Sequence, residues 1–333
     1  MKNKGAKITL IIILVILVIA LINFMIYAIV NKNGEFKLSL IGFGDNTAMI
    51  FEKEYNPEEL NNINVDVSSS NVKIEKADID KIKITAYGEK EDKIKEVMNE
   101  NELSITKENT KIFIFTMLYW CREEIIIQVP NNCDEEFNIK TSSGDIIVPD
   151  LEGDNIELKT ASGKIQCGNI NNGNIETSSG DILIGNGNEV TLKASSGNIK
   201  AGDFNKLSAE ASSGDIEIGT ISEDAKVKTA SGKITLNGAN KLKAEAISGD
   251  IKINSIENNC EISSTSGNII VDRANINENS FIKTNSGNVV INNKNDIYVE
   301  TETTSGDADV QNNNRMSEIV LDITTTSGNI KVN

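Results

Sequence analysis

The residues of this chain that could do chemistry come in a row. Ser-Gly occurs eleven times, and the position after each glycine reads Asp145, Lys164, Asp181, Asn198, Asp215, Lys233, Asp250, Asn268, Asn288, Asp307 and Asn329. Oxygen ligands at fixed spacing could hold a hard cation such as calcium. The calcium-roll consensus GGxGxD is absent, however, and Lys164 and Lys233 interrupt the row. Turn chemistry is the reading the residues favour, since Ser, Gly, Asn and Asp each suit a tight bend. No metal ligand set and no cofactor site is assigned from the sequence.

The chain has no histidine, so it lacks the usual general base near neutral pH and the commonest metal ligand. Ser-His-Asp and Cys-His sites are excluded. The remaining enzymatic reading is a carbohydrate-active β-helix enzyme, which needs carboxylates gathered in one groove. Here they are spread evenly along the chain, and Arg273 in "VDRANINENS" marks the only irregular focus. The expectation is a protein that is not an enzyme. Of the four cysteines, Cys167 and Cys260 fall on apolar positions and read as small buried side chains, whereas Cys121 and Cys133 flank "EEIIIQV" and leave a disulfide open.

The spacing of the glycines sets the architecture. Gly144, Gly163, Gly180, Gly197, Gly214, Gly232, Gly249, Gly267, Gly287, Gly306 and Gly328 follow one another at 17 to 22 residues. A short period held over so many copies marks a stacked array. Aligned on the glycine, the positions seven and five before it and two and four after it are apolar in 41 of 44 cases. The position four before it never is: Lys140, Lys159, Glu176, Lys193 and Glu210 begin that row. Strict alternation on both sides of the corner predicts two half-buried strands per repeat.

A further slot seven after the glycine is apolar in most early copies (Leu151, Ile170, Phe204, Ile221) and predicts a looser third side. The fold expected is all-β, a parallel β-solenoid of ~17–20 residues per coil with strands about 4.8 Å apart along the axis. An antiparallel meander with Ser-Gly hairpins is the runner-up. The glycines are expected to supply φ > 0 at the corners, and the serines before them to bond the main-chain groups that the bend leaves unpaired.

Residues 136–333 hold the eleven coils, and 47–135 read as a β-rich cap with degenerate coils. In "VDVSSSNVKIEKA", Val65, Val67, Val72, Ile74 and Ala77 fill repeat slots if Ser70 replaces the glycine, and "EKEDKIKEVMNEN" reads as one short helix. At the far end "TTSGNIKVN" finishes on a repeat strand with nothing after it to cap the last coil, an exposed template for end-to-end or partner contact.

Ahead of the cap, Ile8–Val30 is an uncharged run of 23 residues, about 34 Å long as a helix and enough to cross a bilayer. Residues 1–7 carry Lys2, Lys4 and Lys7, so a cytoplasmic N-terminus, a membrane anchor at 8–30, a linker at 31–46 and an extracellular body are expected. Without those lysines, 30 basic residues stand against 49 acidic ones, a formal −19. Such a body has no basic face for nucleic acid.

An N-terminal anchor, a front section ending in "EEIIIQVP" and tandem "T-x-SGDI-x-V" units resemble a family of bacterial surface proteins, the putative adhesins of domain of unknown function 4097. The resemblance implies a β-solenoid envelope protein, adhesive, scaffolding or stress-related, whose partners are the lipid bilayer and a cell-wall, protein or host-surface ligand. It carries over no catalytic residues. A self-associating scaffold like the bactofilins is the alternative.

Overall fold

The computed structural model describes residues 16–20 and 47–333, apart from 109–120, 152, 154 and 312. Its described body is all-β, and the repeat positions stack slot on slot. Ile156–Thr160 lies parallel between Glu136–Thr141 and Ile170–Thr177, with Leu158 registered on Ile139 and Ile175. Across the corner, Ile165–Cys167 lies between Ile146–Val148 and Ile182–Ile184. Inward side chains such as Ile139, Leu158, Ile175 and Leu192 are fully buried, each worth about 1.5–3 kcal/mol. A one-residue slip would turn a whole strand's apolar set into water, so this burial fixes the register.

The third side is regular too. Ile170, Gly187, Phe204 and Ile221 stand in register on successive coils. Gly187 has no side chain to contribute, and the Phe204 ring takes its volume: a Cβ on Gly187 would lie 2.8 Å from Phe204 Cε1.

The corners correct two expectations. Among the corner glycines only Gly306 and Gly328 have positive φ, at 149° and 150°. What the others provide is clearance. The carbonyl of each corner glycine points at the next one along the axis, and a Cβ on Gly180 would sit 1.7 Å from Gly163 O. Nor is it the serine hydroxyl that satisfies the bend. Thr160, three before its glycine, donates its hydroxyl to Gly144 O at 3.1 Å and accepts the Gly163 N–H at 3.0 Å. Thr141 and Thr177 do the same, and Thr229, Ser264, Thr284, Thr303 and Thr325 each donate to a corner carbonyl. The serines take part through the main chain, as in Ser179 N–H to Ala161 O at 2.9 Å.

At the front, Asn62–Val67 and Asn71–Ala77 form a coil under Gly144, whose Cβ position lies 2.0 Å from Ser70 O. Ser70 thus holds the glycine's place. Beneath it come Glu102–Glu108 and Glu124–Pro130, again parallel. Three antiparallel strands then close the end: Lys93–Asn99 on Glu102–Glu108, and Ile82–Gly88 between Glu124–Pro130 and Ala48–Tyr55.

The helix expected in "EKEDKIKEVMNEN" is therefore a strand. The chain reverses at Glu100 (φ 51°) and pairs back on 102–108, an arrangement that gives a sheet edge its partner. Beside this hairpin the buried Lys107 ammonium lies 3.0 Å from Asp92 Oδ2 and 2.8 Å from Glu123 Oε2.

The far end departs from chain order. Val320–Ser327 inserts between Ser280–Ser286 and Tyr298–Ser305, and Ile330–Val332 inserts between Val289–Asn293 and Ala308–Val310. The last coil in sequence is covered, and the free end belongs to the Gly306 coil. Most of the segment 8–30 lies outside the described residues. Residues 16–20 are helical and exposed, and among the described residues no helix is long and apolar enough to cross a membrane.

Candidate ligand-binding groove

The Asp/Asn row has a structural job. Its side-chain oxygens accept the main-chain N–H of the same position one coil further on: Lys164 N–H to Asp145 Oδ1 at 2.7 Å, Asp215 N–H to Asn198 Oδ1 at 2.9 Å and Asn288 N–H to Asn268 Oδ1 at 3.0 Å. Asn71 starts the series and Asn329 carries it to Asp307. Each oxygen so used has a strong fixed donor, which explains why an amide serves as well as a carboxylate. Among the described residues, no three His, Cys, Asp or Glu side chains are grouped to hold a metal ion.

A second ladder runs down the next corner, which the glycine alignment alone does not single out. Asp150, Asn169, Asn186 and Asp203 accept the N–H of Asn169, Asn186, Asp203 and Thr220 at 2.6–2.8 Å. Its signal in the sequence is Gly168-Asn169, Gly185-Asn186, Gly202-Asp203 and Gly219-Thr220. Those glycines make room for the ladder, since a Cβ on Gly168 would lie 2.3 Å from Asp150 Oδ1.

A groove of 820 Å³ lies on the third side beside Glu257, Asp272 and Arg273. A separate concave surface runs along the strand that leads into the Ser-Gly corner. There the side chain seven before each glycine points inward, and those eight and six before it stand up as two walls. One groove of 710 Å³ is lined by Asn62, Glu136, Asn138, Asn155, Glu157 and Asn172, among others. A second, of 560 Å³, continues past Lys206, Asp224, Lys226, Lys241, Lys243 and Phe281. The two share Glu189 and Thr191, so they form one channel along the axis. From Asn62 to Phe281 it crosses ten coils, about 43 Å at the strand spacing.

Charge changes along the channel. The half nearer the cap is walled by amides and carboxylates, tied laterally as in Asn155 Nδ2 to Glu136 Oε1 at 2.8 Å. Hydrogen bonding from Lys159 holds the Glu157 carboxyl below its ordinary value. Lysines enter in the other half. Lys243 reaches Glu261 at 2.8 Å, Lys241 reaches Glu278 at 3.2 Å, and Lys206 lies 3.9 Å from Glu189 and 3.7 Å from Glu223. The Lys243 ammonium is pushed up chiefly by its bond to Glu261. Exposed pairs of this kind contribute a few tenths of a kcal/mol and leave their donors open to exchange with a ligand. The row four before the glycine brings Lys193 into register with Glu210, while ion pairs between coils form in other rows, such as Lys200–Glu217 at 3.1 Å.

Arg273 stands away from this channel, 3.3 Å from Glu257 on the third side. The four cysteines are free thiols, so Cys121 and Cys133 are not bridged. Burial pushes the Cys167 and Cys260 thiols up to about 12.

What recurs here is a coil with a fixed corner, and a family model described as Toastrack DUF4097 matches residues 60–188 and again 185–333. The chain belongs to the Toastrack DUF4097 family. The two Toastrack matches meet in the middle of the solenoid, near Gly187, and together take in both the degenerate front coils and the regular ones. A search of the curated proteins finds no match to this Toastrack chain. Among solved structures it is similar to a putative adhesin from Bacteroides fragilis NCTC 9343, at 14% identity and a TM-score of 0.32 over 87% of this chain and 99% of that one. A putative cell adhesion protein from Clostridium sporogenes ATCC 15579 is similar at 11% identity and a TM-score of 0.22, over 85% and 98%. A structure described as a putative lipid binding protein, from Parabacteroides distasonis ATCC 8503, is similar at 18% identity and a TM-score of 0.34, over 86% and 97%.

Proposed function

We propose that this Toastrack protein is a non-enzymatic, membrane-anchored surface protein, an adhesin or envelope scaffold that holds an extended ligand along its axial channel. The observation that carries the reading is the channel itself. Two walls of amide, carboxylate and ammonium groups repeat at coil spacing, which suits a linear polymer or an extended chain better than a compact small molecule. Membership of the family and the uncharged run Ile8–Val30 support placing the body outside the cell on a single anchor. The acidic balance of the body disfavours anionic lipid heads and phosphate-rich polymers as ligands and favours neutral or cationic ones.

Two measurements test it. Protease added to intact cells should remove residues 47–333; full protection overturns the topology. The full chain in detergent should be retained on isolated cell-wall material, and Asn172→Trp, which fills the channel, should reduce retention at least tenfold. Equal retention of the variant overturns the role of the channel.

A further inference from the structure

The Gly306 coil leaves a strand edge open at the free end of the solenoid. Among the described residues, Tyr298–Ser305 and Ala308–Val310 pair on one side only, with Val320–Ser327 and Ile330–Val332. On the open side the Asn313 side chain stands in for a missing coil: Val299 N–H donates to Asn313 Oδ1 at 2.9 Å, and Asn313 Nδ2 donates to Val299 O at 2.8 Å. In a strand, alternate residues direct their main-chain groups to the same neighbour. Thr301 and Thr303 therefore face the open side as Val299 does, beyond the reach of that single amide.

The corner ladder has the same polarity. Every side-chain acceptor in it points toward this end, from Asn71 through Asn288 and Asn329 to Asp307. Asp307 is the last, and its carboxylate occupies the place from which each earlier member receives the N–H of the next coil. The inward slots are unfinished as well. Thr301, Ala308 and Val310 are partly or fully exposed where other coils bury Ile, Leu or Val.

The outward positions say what the added strand must carry. Glu300 and Glu302 are exposed on the open strand, and Asp307 and Asp309 follow across the corner. Glu300 is registered directly on Asp322, and like charges facing each other across a strand pair are destabilising. A basic neighbour relieves that repulsion, whereas a second copy of the same acidic edge adds to it. We propose that this edge binds an extended polypeptide segment in which basic residues alternate with small apolar ones, basic over Glu300 and Glu302 and apolar over Thr301. The contact is strand addition, with main-chain hydrogen bonds giving affinity and the carboxylates giving selectivity.

The test uses the full chain in detergent and a labelled octapeptide of alternating Lys and Val, with alternating Glu and Val as its control. The Lys-Val peptide should bind saturably and slow amide exchange at residues 299–310, and the control should not. Glu300→Lys with Glu302→Lys should weaken binding at least tenfold, and the milder Glu300→Gln with Glu302→Gln should weaken it in the same direction if the reversal unfolds the coil. Asn172→Trp in the channel should leave peptide binding unchanged, which separates this edge from the channel. Equal binding of the two peptides, protection elsewhere than 299–310, or concentration-dependent self-association of the chain through this end overturns the proposal.

Discussion

Gly306 rests on Gly328, although it precedes it by a full coil in the chain: a Cβ on Gly306 would lie 2.1 Å from Gly328 O, and one on Gly328 would lie 2.0 Å from Gly287 O. The C-terminal coil is an interior layer. Removing it takes away the floor of the coil before it.

Truncation after residue 315 should therefore unfold more than it deletes. Leu321, Ile323, Ile330 and Val332 are fully buried, each contributing about 1.5–3 kcal/mol. Amide exchange at 298–310 should rise to the unprotected rate in the truncated chain, and the melting temperature should fall. Protection retained there contradicts the inserted order.

Corner glycines should be intolerant for a reason that can be isolated. Gly180→Ala drives a methyl against the Gly163 carbonyl, a main-chain atom that cannot rotate away, and overpacking of this kind should cost about 3 kcal/mol or more. Gly238→Ala meets the Ser255 hydroxyl oxygen at 2.8 Å, a side chain that can turn aside, and should cost less than about 1 kcal/mol. Urea denaturation compares the two, and similar losses would show that clearance is not what the corner requires.

Lys164 breaks the corner ladder. Lys164→Asn supplies an acceptor under the Asp181 N–H and should stabilise the body by about 0.5–1.5 kcal/mol, whereas Asn198→Ala, which strips the acceptor from the Asp215 N–H, should destabilise it by a similar amount. A ladder built for ions would instead show calcium-dependent melting in the wild type.

The buried thiols give a pH dependence with a defined sign. With folded values pushed up to about 12, Cys167 and Cys260 stay protonated where an unfolded thiol ionises near its ordinary value of 9.0. Their contribution to stability is complete below that value and is lost as pH rises from there toward 12. Native protein at pH 8 should leave both unalkylated by iodoacetamide, and denaturant should expose them. Rapid native labelling of Cys260 would contradict its burial.

Much of the body was legible in the residues. Val190, Leu192, Ile199 and Ala201 face the core because alternation about a Ser-Gly corner allows nothing else, and Ser70 was recognisable as a substituted glycine from its neighbours Val67 and Val72. The corner was misread in its detail. Glycine and serine both suggest turn chemistry, but the constraint at Gly180 is a carbonyl 17 residues away, and the hydrogen bonds come from Thr177. The channel was not legible, because its walls alternate with core positions and vary in type from Asn155 to Lys206 to Phe281.

By itself the sequence determined the repeat, its strands, their inward faces and the all-β class, since period and alternation are local properties that burial makes compulsory. It left a parallel stack and an antiparallel meander both open, and the strand pairing decided between them. Only the tertiary structure decided the order in which coils stack at the two ends. Any coil with matching slots can lie on any other, so Val320–Ser327 satisfies the Ser280–Ser286 edge as well as Tyr298–Ser305 could. The apolar slots that Thr301 and Ala308 leave unfilled make their coil the better one to face water. That choice, made by relative burial and not by chain order, is what places Glu300 and Asp307 at the open end.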